Sequence, residues 1–227
     1  MPQLPIDPSR SALILFDMLN HYLKPSDPAL AREIAATGVV EHTARVLAAA
    51  RAHGMSVFYT NGDHRADGRD WIPLITDANM NLEPWPDGPQ VMPHRAMVTS
   101  GTAGAQVVDE LAPRPEDGVI LKHRWSSFAG THLDHLLRAR GINTLLLCGG
   151  STDVGIASTA YAARDLGYNL IILRDCCHTE RPGAQDFFMD RIFPRMARVL
   201  NAADAVALIA AGADQTRAAG AGTGGAA

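Results

Sequence analysis

The sequence predicts an α/β domain built on a mostly parallel, six-stranded sheet flanked by helices, and three observations lead there. Short uninterrupted apolar runs, such as Ser11-Ala12-Leu13-Ile14-Leu15-Phe16 and Leu145-Leu146-Leu147-Cys148, have the character of strands covered on both faces. These runs alternate with segments of helical periodicity, for example Val39, Val40, Ala44, Val46, Leu47 and Ala50 ahead of a stop at Gly54. One run ends in Gly149-Gly150, passes through Ser151-Thr152-Asp153 and enters an alanine-rich segment, which reads as strand, tight turn and helix. The 227 residues suffice for one domain of this kind with a proper core.

In order, the first strand (Ser11 to Phe16) ends at Asp17, and the crossover helix spans Val39 to His53. A second strand, Met55 to Thr60, leads into a polar segment from Asn61 to about Thr99 containing Pro73, Pro84, Pro86, Pro89 and Pro93. This segment reads mostly as loop, of a length suited to a lid, a binding loop or an oligomer contact. Thr102 is expected to cap a helix running to Leu111, and the third strand, Val119 to Leu121, ends at Lys122. Thr131 can cap a helix from His132 to Arg140. The fourth strand and the glycine turn follow, with a helix stopping at Gly167. A fifth strand, Asn169 to Leu173, runs out at Asp175-Cys176-Cys177-His178. Phe187, Phe188, Ile192 and Phe193 have helical spacing, Arg198 to Leu200 is a short sixth strand, and Ala203 to Ala211 form a last helix. The domain is expected to occupy residues 1–212, with the Ala/Gly-rich residues 213–227 as a disordered tail.

Composition narrows the function. A formal charge of -4 gives no basic face for nucleic acid, and no run approaches the roughly 18 apolar residues of a membrane span. The N-terminus has no secretory pattern, so a cytoplasmic protein acting on a small molecule is expected. Three cysteines argue against a disulfide framework, and their spacing does not suit zinc. Asp63-His64 could hint at a metal, but the nearby chain has no second histidine at convincing spacing, so neither metal nor cofactor is expected.

A parallel sheet brings the carboxyl ends of neighbouring strands together, so Asp17, Lys122 and the turn from Gly150 to Gly155 should share one edge. A carboxylate at a buried strand end is costly unless paired or functional, although Asp17 could also merely cap the following turn. The N–H groups of the glycine turn and of the first helical turn can receive a carboxylate or an oxyanion. His64, Arg65, Asp70, Trp71 and Trp85 stand out in the long loop, each read more readily as an ordinary loop residue than as a ligand contact.

Three stretches in register carry a resemblance: Leu13-Ile14-Leu15-Phe16-Asp17-Met18, Lys122-His123-Arg124-Trp125-Ser126-Ser127-Phe128, and Gly149 to Thr159 followed by Ala162-Ala163-Arg164-Asp165-Leu166-Gly167-Tyr168. Over about residues 10 to 210 the chain resembles the isochorismatase-like hydrolase superfamily. The resemblance implies a three-layer, Rossmann-like fold, a homo-oligomer (dimer or tetramer), a cis peptide at Gly150-Ser151, and Asp17 and Lys122 as catalytic residues. The amidase members carry a cysteine nucleophile where this chain has Gly155. Without a thiol there, no thioester can form. Isochorismatases also have glycine at that place, which points to the branch in which Asp17 works with water on a vinyl ether or related C–O bond. Gly155 is then expected to leave room for substrate, and the N–H groups of Ser151 and Gly155 to hold a substrate oxygen. The pocket is expected to draw on Arg124, Trp125, Phe128, His64 and Trp71, with Arg124 a candidate partner for a substrate carboxylate.

Two other readings stay open. One is an amidohydrolase cleaving a small amide or ureide, with another cysteine such as Cys177 attacking. The other is an inactive member that only binds, against which two charges at buried strand ends argue.

Overall fold

The computed structural model describes residues 3–70, 75–76, 90–91 and 98–222. Six strands form one all-parallel sheet: β1 (Ser11–Phe16), β2 (Ser56–Gly62), β3 (Gly118–Lys122), β4 (Thr144–Gly150), β5 (Asn169–His178) and β6 (Arg198–Leu200), in the order β3-β2-β1-β4-β5-β6. A two-residue antiparallel ladder, Ile75–Thr76 with Gln90–Val91, stands apart.

β1 is central and buried along its whole length, which is why it is apolar without alternation. Leu13 and Leu15 face one core, with α2 (Val39–Ala52) contributing Val46, Leu47 and Ala50, and α5 (Ala202–Gly222) contributing Ala205 and Ile209. Ala12, Ile14 and Phe16 face the other, against α3 (Leu133–Ala139) and α4 (Ala157–Asp165) through Leu133, Leu137, Ala160 and Ala163. The three layers follow from this two-sided coverage. Chain direction away from β1 reverses between β1 and β4, so the crevice at their carboxyl ends lies at a topological switch point.

Several expectations need correction. Residues 102 to 111 form two short 3-10 turns, Ala103–Ala105 and Asp109–Leu111, and the Thr102 hydroxyl bonds back to the Thr99 carbonyl (2.7 Å). A helix α1 (Pro28–Ala36) was not foreseen, although Asp27 caps it by accepting from the Ala29 N–H (2.8 Å) and Pro28 supplies a preset φ. The aromatic segment after residue 183 divides into a four-residue α-helix, Ala184–Phe187, and a π-helical turn, Phe188–Ile192. The last helix does not stop at Ala211 but runs from Ala202 to Gly222. Gly212 is where this helix crosses the N-terminal segment, and a Cβ there would collide with the Ile6 carbonyl. No helix among the described residues is long and apolar enough to cross a membrane.

Candidate functional site

β1 delivers Asp17 to the carboxyl edge of the sheet. Its backbone takes a left-handed turn (φ 49°), with its N–H donating to the Thr60 carbonyl on β2 (3.1 Å). Gly62 ends β2 opposite Lys122, and its N–H donates to Asp17 Oδ1 (2.5 Å). Lys122, the last residue of β3, donates from Nζ to Asp17 Oδ2 at 2.8 Å. Both side chains are buried, Asp17 to 6% exposure and Lys122 to 5%. The ammonium also sits 4.0 Å from the centroid of the Phe16 ring, a cation–π contact. Burial pushes the Asp17 carboxyl up from the ordinary carboxylate range, and the Lys122 ammonium and the Gly62 N–H oppose that without cancelling it. Tyr22, which the sequence reading passed over, lies within electrostatic reach of Asp17; burial and that carboxylate raise its phenol.

β4 runs into the glycine turn, where the Gly150-Ser151 peptide is cis, as the resemblance implied. Gly149 has φ 127°, and a Cβ there would collide with the Phe16 carbonyl; a Cβ on Gly150 would collide with the His178 ring. The hub of the turn is Asp153, which sequence reasoning missed. It accepts hydrogen bonds from the hydroxyls of Ser151 and Thr179 (2.7 Å from Thr179) and pairs with Arg181 at 3.2 Å. Burial works to raise its pKa, but these hydroxyls and Arg181 hold it below the usual value. Thr152 donates to Gln185 Oε1 (2.6 Å), whose amide donates to the Cys177 carbonyl (3.1 Å), tying the turn to the end of β5. His178 is buried without a partner for Nδ1 among the described residues, and burial depresses it to about 4.

Gly155 does not open onto free space. A Cβ there would lie 3.1 Å from Cδ1 of Phe16 and closer still to Cε1 and Cζ. The volume expected to admit substrate is held by the Phe16 ring, because Phe16 points to the same face of β1 as the glycine turn and is 2% exposed. The apolar run announced a buried Phe16; it carried no signal of what that ring would face.

The segment after Lys122 is anchored by Ser127, whose hydroxyl donates to Thr60 Oγ1 (2.9 Å) and whose N–H donates to Thr159 Oγ1 (3.0 Å), joining β2 to α4. Phe128 packs against the core, with its ring 5.9 Å from that of Tyr168. Trp125 is 56% exposed, and Arg124 is exposed and donates to the Asp70 and His123 carbonyls. Trp71 lies outside the described residues. His64 is close enough to Asp17 and Lys122 for their charges to act on one another. Burial, His123 and Lys122 lower its pKa, with Asp70 opposing. The fold also supplies the second histidine that the nearby chain lacks: His123, from the end of β3, puts Nδ1 3.4 Å from Asp70 Oδ2, and His64 Nδ1 is 3.5 Å from the same oxygen. His64, Asp70 and His123 place one ligand atom each within 4.8 Å of one another, a spacing that could hold a divalent cation. The three thiols are buried; burial raises all of them, Cys177 to about 12.

Comparison with known proteins assigns the chain to a family. A family model of the isochorismatase domain matches residues 11–204. The chain is 31% identical over 196 residues to the uncharacterized isochorismatase family protein YecD of Escherichia coli O157:H7, covering 86% of this chain and 94% of that protein. It is 36% identical over 185 residues to the ureidoacrylate amidohydrolase RutB of Methylorubrum extorquens, covering 78% and 73% respectively. Among solved structures, an isochorismatase family protein from Burkholderia thailandensis matches 92% of this chain and 100% of its own, with TM-score 0.72 and 30% identity. An aspartate and a lysine paired across the ends of β1 and β3, beside a glycine turn closing β4, are thus found in a chain that belongs to the isochorismatase family of hydrolases.

Proposed function

We propose that the chain hydrolyses a small, carboxylate-bearing metabolite at a vinyl-ether or related C–O bond, with Asp17 and Lys122 acting on substrate and water and with no enzyme nucleophile. The observation that carries this reading is a buried carboxylate–ammonium pair at 2.8 Å beside a nucleophile position that holds Gly155 and is filled by the Phe16 ring. Asp17, its proton affinity raised by burial, donates a proton to the enol carbon. Water adds to the oxocarbenium carbon, and the hemiketal collapses to an alcohol and a 2-keto acid, returning one proton to Asp17. Lys122 keeps Asp17 oriented, and the N–H groups of Ser151 and Gly155 hold a substrate oxygen.

A turnover screen with isochorismate beside small amides and ureides, read out as pyruvate and as ammonia, tests the proposal. Pyruvate release reduced roughly 10²-fold or more by Asp17→Asn is the expected result. Ammonia release alone would replace it with C–N hydrolysis, the second reading, which the likeness to a ureidoacrylate amidohydrolase favours.

A further inference from the structure

At the edge of the sheet opposite the catalytic pair, the amino ends of β1, β4, β5 and β6 form the floor of a cleft of about 740 Å³. Arg10, Arg164, Arg195 and Arg198 line it, together with Asn143 and Asn169. None of these arginines has a carboxylate partner among the described residues, in a chain whose acidic residues outnumber its basic ones, 24 to 20. Its one lining carboxylate, Asp7, is engaged with Ser9, accepting from its N–H (2.9 Å) and hydroxyl (2.7 Å). Arg198, which starts β6, has Nη2 shielded from solvent and without a hydrogen-bond acceptor among the described residues. Four arginines without carboxylate partners on one cleft are the features of an anion site.

We propose that this cleft binds a small, phosphate-bearing metabolite with at least two negative charges, an organic diphosphate in type. The planar fork of arginine matches phosphate oxygens two at a time, and four forks exceed what a single carboxylate can satisfy. The volume falls in the range that encloses one small molecule rather than a polymer. Pro194 and the exposed Leu4 supply an apolar wall for the organic part. The site is remote from Asp17 and stands whether or not the reaction proposed above is correct.

Calorimetric titration of the full chain with inorganic pyrophosphate tests it. The expected result is saturable one-to-one binding that weakens at least ~10-fold in Arg198→Gln and in Arg164→Gln, the loss of one charge-assisted contact. Asp17→Asn should leave it unchanged. Because Arg164 is exposed on α4, its variant keeps the test valid should Arg198→Gln fail to fold. Absent binding at about 10 mM, binding indifferent to both substitutions, or citrate bound in preference to pyrophosphate would each overturn the proposal.

Discussion

Replacing Gly155 with alanine sets two effects of opposite sign against each other. Gly155 lies in the helical entry to α4 and is not among the glycines of positive φ, so the backbone accepts a side chain, and helix propensity alone favours alanine by about 1 kcal/mol. The Phe16 ring argues the other way. A Cβ would approach its Cδ1 to 3.1 Å and two further ring carbons more closely, inside ordinary van der Waals contact, and the ring is 2% exposed and covered by the Lys122 ammonium. Overpacking of this kind costs about 1–3 kcal/mol, so Gly155→Ala should destabilise. For a domain of this size that lowers Tm by about 2–4 °C per kcal/mol. Phe16→Ala costs about 3–5 kcal/mol by itself but empties the space. In that background Gly155→Ala should become neutral or stabilising, giving a coupling of about 1–3 kcal/mol in a double-mutant cycle read by urea denaturation. A higher Tm for Gly155→Ala in the native background, or the same effect in both backgrounds, would refute the placement of the ring.

Three further outcomes follow from the same geometry. Lys122→Met leaves the Asp17 carboxylate buried without its counter-charge and should cost about 3–5 kcal/mol in denaturant titration; adding Asp17→Asn should recover part of the loss, and a double variant as unstable as the sum would show the pair is not coupled. His178, held neutral with a pKa of about 4 against 6.5 when unfolded, takes up a proton on unfolding as pH falls between those values. Stability present above pH 6.5 is therefore lost toward pH 4, about 3 kcal/mol in total from this residue; His178→Gln should flatten that slope, and an unchanged slope would contradict the burial. Finally, iodoacetamide should leave turnover intact in the native protein, because all three thiols are buried and held protonated; inactivation cancelled by Cys177→Ser would instead mark Cys177 as a nucleophile.

What was legible in the chain was whatever local pattern determines. Strands covered on both faces must be apolar throughout, so β1 begins and ends where the sequence says, and the ends of β1 and β3 bring Asp17 and Lys122 together as topology requires. The rest depended on tertiary contact. Thr102 looked like a cap, but its hydroxyl turns back to Thr99. The tail looked unable to bury anything, yet Ala213 packs as α5 continues past Gly212. Asp175 seemed a strand terminus like Asp17, yet it caps α5 by accepting from the Ala202 N–H (2.8 Å) and pairs with His42 at 3.1 Å. His123 joins His64 and Asp70 only because β2 and β3 are neighbours, 59 residues apart along the chain at the two histidines. The Asp27-Pro28 start of α1 was a local signal and could have been read.

Phe16 and Gly155 behave as one unit, and this decides how the site can be altered. The ring supplies two things at once: it fills the space beside residue 155, and it lays an aromatic face against Lys122. Moving it to admit a thiol would therefore disturb the ammonium that pairs with the carboxylate. Gly155→Cys alone should give a protein with a strained core and an unreactive sulfur rather than a covalent amidase. A cysteine at this position becomes compatible with the present backbone only when residue 16 is made smaller, so admitting a thiol requires a change in the strand that carries Asp17 and not in the glycine turn alone.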